Sequence, residues 1–393
     1  MQVHWSKIGN RSILWTNENN RIFESNIKRM GANIDTDSFR RSKGQLYLVI
    51  QVGSSFQQNY PNVPIVLEKG RYLVVDVTSE QLKSMNKNDE NCWMLRPLPP
   101  NQVILDIVRA ERQEVVTWIQ SLAASVSLSN YQAYLTRLST FPTRHSLSSF
   151  FRDATTWATD QLDNFGYTTR LDEINLGTNK SYNVIADLKG HGTGLRDIII
   201  ISAHLDSINS TGGVDSKAPG ADDNASGSAG LIEIARILAS HNSIHDLRLI
   251  LFGGEEEGLV GSRRYVNALP TSERSRIRAV INMDMIATLN TNMPTVLLEG
   301  ASLSQNIIDN LATSASTYTS LKVEQSLNPF ASDHVSFIDV HIPAVLTIEG
   351  ADRSNTNIHT ANDTIDHINY DLALEIIRMN LAAAALLLGN EEI

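Results

Sequence analysis

Hydrophobic positions change their spacing as the chain is read, and the change divides it into parts. Between Gln45 and Val52, and again between Arg71 and Val77, Val, Ile, Leu and Tyr crowd into short runs bounded by Gly44, Gly53 and Gly70, which predicts two strands. Thr78 or Ser79 in the following VTSEQLKSM caps a short helix. KNDEN and then RPLPP interrupt the pattern between Asn86 and Pro100, and a domain boundary is placed there, with residues 1–100 as a small α/β module and 101–393 as the main domain.

From about Val103 the pattern turns helical: VVTWIQSLA and YQAYLTRLSTF space apolar residues at three and four, and a further helix runs from Ser146 to Phe165 before Gly166. Strands and helices then alternate. SYNVIADLKG, DIIIISAHLDS, DLRLILFGG, RIRAVINMDM, PTVLLEG and PAVLTIEG read as strands. Ala225 to Ser240, Gly261 to Leu269, Leu303 to Ala315 and Tyr370 to Leu388 read as helices. The runs Ile198 to Ile201 and Leu249 to Phe252 lack alternation, as strands buried on both faces of a parallel sheet do. The predicted fold is therefore α/β, a helix-covered, mostly parallel mixed sheet with a small N-terminal module. Such sheets gather their chemistry just past the carboxyl ends of the strands.

Four groups meet that expectation. His204 and Asp206 follow one strand, Glu255 and Glu256 another, Asp284 closes a third, and Asp223 lies in the loop APGADDNASG before a helix. A fifth, His359, comes shortly after PAVLTIEG. Two imidazoles and three carboxylates suit divalent ions of the Zn²⁺ type with a position left for water. Three carboxylates and a bridging hydroxide balance two such ions, whereas one ion leaves carboxylates unpaired in a low-dielectric pocket, at several kcal/mol each. A glutamate beside a ligand glutamate suits a base that takes a proton from water. Singly, Asp223 also fits a helix N-cap and His204 a structural histidine; the set gives them their interest.

Composition narrows the alternatives. Of 393 residues, 42% are hydrophobic and 19% charged, as in a globular protein. A net charge of −10 without any basic cluster argues against nucleic acid and anionic membranes as partners. Cys92 is the single cysteine, so neither an intramolecular disulfide nor a paired-thiolate metal site is available. Its expected place is as a small buried side chain. No run is long enough to span a bilayer. MQVHWSKIGNRSILW has no signal-peptide core, which points to the cytoplasm for the chain as written and to secretion where Met1 replaces a removed signal.

HLDS, GADDNASGSAG, GEEEGLVGSRRY, NMDM, SDH and IHTANDTID occur here in the order found in zinc aminopeptidases, and the chain resembles those related to the bacterial secreted leucine aminopeptidases over roughly residues 110–390. The resemblance implies two Zn²⁺ per chain, with His204 and Asp284 on one, Glu256 and His359 on the other, and Asp223 bridging. It implies Glu255 as general base, Glu257 as a variable position, Asp206 as the carboxylate that orients His204, and a cis peptide at Asp223-Asn224. The implied activity is hydrolysis of the N-terminal residue from peptides with a free N-terminus. Departures are visible too, because the tyrosine that relatives place near the oxyanion is absent around Ile358 and in SLNPFASDH. Phe330 lines that part of the pocket in this reading.

Asp333 and His334 are expected in structural or substrate-contacting roles, and Asp363 as support for the His359 loop. The remaining histidines, His145 among them, are expected to be surface or structural. Rival functions on the same fold are glutaminyl cyclase, a carboxypeptidase or dipeptidase, and a catalytically inactive interaction protein. The complete five-residue set disfavours the last. The N-terminal module carries no chemistry of its own and is either propeptide-like or a permanent accessory domain.

Overall fold

The computed structural model describes residues 3–16, 42, 44–85 and 92–391, so KNDEN lies outside the described residues. The chain forms two compact units, Met1–Asp106 and Ile107–Ile393.

The strands of the first unit are β1 (His4–Ile8), β2 (Arg11–Trp15), β3 (Gln45–Gln51), β4 (Ile65–Lys69), β5 (Tyr72–Val77), β6 (Trp93–Pro97) and β7 (Gln102–Val108), the last running across the division; the helices are α1 (Ser55–Asn59) and α2 (Ser79–Ser84). An antiparallel sheet in the order β4-β5-β3-β6 buries Tyr47, Val49, Leu73 and Val75 against Phe56 and Trp93. Thr78 caps α2 with a complete capping box: its hydroxyl accepts from Gln81 N at 3.2 Å, and Gln81 Oε1 accepts from Thr78 N at 2.9 Å.

Two expectations change here. Gln102–Val108 is a strand paired in parallel with β1, although helical spacing was expected from Val103. Its VILDIV core is β-branched and suits a ladder better than a helix. Cys92 is exposed, its carbonyl accepting from Val52 N and Ser55 Oγ.

The second unit contains α3 (Thr117–Ala124), α4 (Leu128–Ser139), α5 (Ser149–Asn164), β8 (Thr168–Leu176), β9 (Asn179–Leu188), β10 (Ile198–His204), α6 (Gly227–Leu238), β11 (Asp246–Phe252), α7 (Val260–Ala268), α8 (Thr271–Arg274), β12 (Ile277–Met283), β13 (Thr295–Gly300), α9 (Gln305–Tyr318), β14 (Lys322–Ser326), α10 (His334–Asp339), β15 (Ala344–Glu349) and α11 (Tyr370–Leu388). Its strands run in the order β14-β13-β15-β12-β10-β11-β9-β8. The centre is parallel, β15 to β12 to β10 to β11, with antiparallel pairings at β13–β15 and from β11 outward.

Successive residues of the central strands enter different cores. Ile199, Ile201, Leu249, Leu251 and Ile281 pack with α4, α5, α6, α9 and α11, while Ile198, Ile200, Ile250, Phe252 and Val280 pack with Tyr265 and Val266 of α7 and Phe337 of α10. The unbroken apolar runs follow from this burial on both faces. Parallel pairing sets His204 opposite Phe252 and Ser202 opposite Asn282, so β10, β11 and β12 end at one rim. Among the described residues no helix is long and apolar enough to cross a membrane.

Candidate metal centre

Local backbone carries the predicted residues to that rim. His204 ends β10 and Asp284 directly follows β12. Gly254, at φ +68°, turns the chain out of β11 so that Glu255 and Glu256 begin the next turn. Asp223 sits in the irregular segment Ala221–Ser226 ahead of α6, and its peptide bond to Asn224 is cis. His359 follows β15 in a turn and takes φ +55°, a left-handed conformation uncommon outside glycine.

All five side chains of the predicted ligand set come together, and Asp223 stands between two pairs. Its Oδ1 lies 3.2 Å from His204 Nε2, which in turn is 3.2 Å from Asp284 Oδ1. Its Oδ2 lies 3.0 Å from His359 Nε2, which is 2.9 Å from Glu256 Oε2. Two ligands of one tetrahedral zinc stand about 3.3 Å apart, given bonds of about 2.0 to 2.2 Å. The nitrogen and oxygen donors thus suit zinc in type and in spacing. Glu256 Oε1 is buried without a hydrogen-bond partner, an acceptor that a cation satisfies.

The charges are strongly coupled. Burial works against charge on His204, yet Asp284, Glu255, Asp206 and Asp223 hold its imidazole well above the usual range. Burial likewise opposes charge on His359, and Glu256 and Asp223 outweigh it. Glu256 is pushed up to about 7, first by burial and then by Asp223 against the lowering effect of His359. Burial raises Glu255 well above the carboxylate range, and Asp284, Asp333 and Glu256 add to this.

A frame of polar side chains fixes these groups. Asp206 Oδ1 faces His204 Nδ1 at 3.5 Å, and its Oδ2 accepts from Ser146 Oγ at 3.1 Å and Glu256 N at 3.2 Å. Ser332 Oγ donates to Asp284 Oδ2 at 2.7 Å and is itself held by Asn282, which Ser202 holds in turn. Asn224 ties the Asp223 segment to the end of β12: its Nδ2 donates to Met283 O, and its Oδ1 accepts from Gly227 N and Met285 N. Gly227 is required for this approach, since a Cβ there would lie 2.5 Å from Asn224 Oδ1.

Further residues surround this set. Asp363, four positions after His359, hydrogen-bonds the backbone of Asp222 and Asp223. Glu257 faces His145 Nδ1 at 3.1 Å, and Asp206 and Glu256 add to the burial that raises its carboxyl. Asp333 and His334 are fully buried, the latter 3.6 Å from Glu299. Phe330 is also buried. Three of the frame residues stand inside the motifs, Asn224 in GADDNASGSAG, Asn282 in NMDM and Ser332 in SDH, although the sequence assigns them no role; Ser146 stands in none.

Imidazoles and carboxylates converging at the carboxyl ends of parallel strands define a metal-dependent hydrolase site. Comparison with known proteins narrows the class. A "Probable leucine aminopeptidase" of Arthroderma otae is 30% identical over 271 residues, spanning 65% of this chain and 72% of that one. The LapA aminopeptidase of Legionella pneumophila superposes with a TM-score of 0.63 at 21% identity, covering 88% of this chain and 99% of that one. BSAP, a zinc aminopeptidase from Bacillus subtilis, has a TM-score of 0.59 at 17% identity, covering 66% of this chain and 94% of that one. The model of peptidase family M28 matches residues 183–384. This chain belongs to peptidase family M28 and is a metallopeptidase.

Proposed function

We propose that the protein is an aminopeptidase that removes the N-terminal residue of peptides with two zinc ions bound. The carrying observation is the Asp223 carboxylate, one oxygen toward His204 and the other toward His359, each imidazole paired with a further carboxylate. In this reading His204 and Asp284 would hold one ion, Glu256 and His359 the other, and Asp223 both. Zinc, when bound, supplies Lewis acidity for a water and for the scissile carbonyl. Glu255 takes a proton from the attacking water and delivers it to the leaving amine nitrogen. Its burial among acids raises its proton affinity, which suits a group that must hold a proton between the two transfers. Asp206 keeps His204 oriented through Nδ1.

Metal content by emission spectroscopy, paired with a panel of aminoacyl-arylamides, tests the reading. Two zincs per chain and turnover of leucyl but not N-acetylated substrates are expected. One zinc with turnover of a glutaminyl substrate alone would defeat it in favour of a cyclase. Residues 1–100 are proposed to be a propeptide-like or accessory module. Their deletion raises activity in the first case and yields inactive or insoluble protein in the second.

A further inference from the structure

Arg144 is fully buried, and among the described residues its guanidinium hydrogen-bonds only to backbone carbonyls: Nε to Leu205 O at 2.8 Å, Nη1 to Leu138 O at 3.1 Å and Pro219 O at 2.5 Å, and Nη2 to Gly220 O at 2.9 Å. A buried cation without a direct carboxylate partner is costly and calls for a compensating role. Two of its carbonyls open the segment that ends in Asp223, and a third lies between His204 and Asp206.

The same segment is held on its donor side by Asp363. Asp363 Oδ1 accepts from Asp222 N and Oδ2 from Asp223 N, both at 2.9 Å, and the Asp363 carbonyl accepts from Ala221 N at 3.1 Å. Gly220 makes the turn possible at φ +50°, where a Cβ would lie 2.5 Å from the Ser207 Cβ. Five consecutive residues thus present two carbonyls to a buried cation and three amides to one aspartate. Asp363 stands four positions after His359, so the segment bearing Asp223 is referenced to the His204 strand end through Arg144 and to the His359 turn through Asp363.

We infer that Arg144 and Asp363 are positioning residues that fix the Pro219–Asp223 segment and thereby set both oxygens of Asp223 for metal binding. The inference rests on the reading of Asp223 as a metal ligand. It attributes to the pair an effect on zinc affinity beyond ordinary support of the fold.

The test uses the full chain with Asp363→Asn and Arg144→Lys, reading zinc dissociation by chelator competition, the melting midpoint of metal-free protein, and kcat and KM at saturating zinc. Asparagine keeps the shape of Asp363 but turns a donor toward one amide. Both variants should bind zinc about 10- to 100-fold more weakly, with KM near wild type once zinc saturates. Zinc affinity within twofold of wild type in Asp363→Asn overturns the inference, whatever its melting midpoint; that variant decides the matter if Arg144→Lys fails to fold. A wild-type chain that binds no zinc overturns the reading beneath it, a result distinguishable because the variants are then never compared.

Discussion

Asp206 joins two groups of the site: its carboxylate faces His204 Nδ1 at 3.5 Å and accepts the backbone N–H of Glu256 at 3.2 Å. One side chain therefore orients an imidazole from β10 and the turn after β11. Asp206→Asn retains the size of the group but puts a donor against one partner or the other. A loss of about 10- to 100-fold in kcat/KM is expected, as for other partners of ligand histidines. Steady-state kinetics at saturating zinc checks this, and a rate within threefold of wild type would mean that His204 is held by other means.

Glu255→Gln isolates proton transfer from metal binding. The variant should retain wild-type zinc content and lose roughly 10²- to 10⁴-fold in kcat, the range for removal of a positioned acid–base group. Retention of most of the rate would remove Glu255 from the role of base.

Removal of metal should cost stability as well as activity, because buried carboxylates then face one another with fewer counter-charges. Zinc at one hundred times its dissociation constant stabilises by about 2.7 kcal/mol. Melting midpoints should fall on chelation and climb again as zinc is titrated back. A midpoint indifferent to zinc would contradict this.

Gly261 sits where a Cβ would be 2.1 Å from the Gly253 carbonyl and 2.4 Å from Asn183 Oδ1. Neither neighbour yields freely, since Asn183 also receives Gly253 N and donates to Gly261 O. Gly261→Ala should destabilise by about 1 to 3 kcal/mol, the usual cost of overpacking. Because Gly253 leads into Glu255, kcat should drop along with thermal stability. Unchanged melting would show that α7 can slide to make room.

What the chain announced in advance was mostly what has local form. Ile198 to Ile201 and Leu249 to Phe252 gave away doubly buried strands, and the five side chains of the proposed metal site stood just past strand ends or in short motifs. The roles proposed within EEE rest on likeness to a family, because three adjacent glutamates have no spacing to tell them apart. The polar frame was hidden for a different reason. Arg144 binds carbonyl oxygens, which every residue has, so nothing in FPTRH indicates its partners. Asn282 and Ser332 meet only after β12 and the SDH turn have packed. The β1–β2 hairpin did leave a sign, since Gly9-Asn10 separates HWSKI from RSILW in the manner of a tight turn.

The five ligand-set side chains come from five separate segments, the last of them beyond β15. A nascent chain lacks His359 until every described strand of the sheet has been synthesised, and contacts between such distant segments are the slowest to close. If the proposed ligand set is the active one, hydrolysis begins only once His359 has joined the other four. In that reading the first appearance of activity marks the final step of folding.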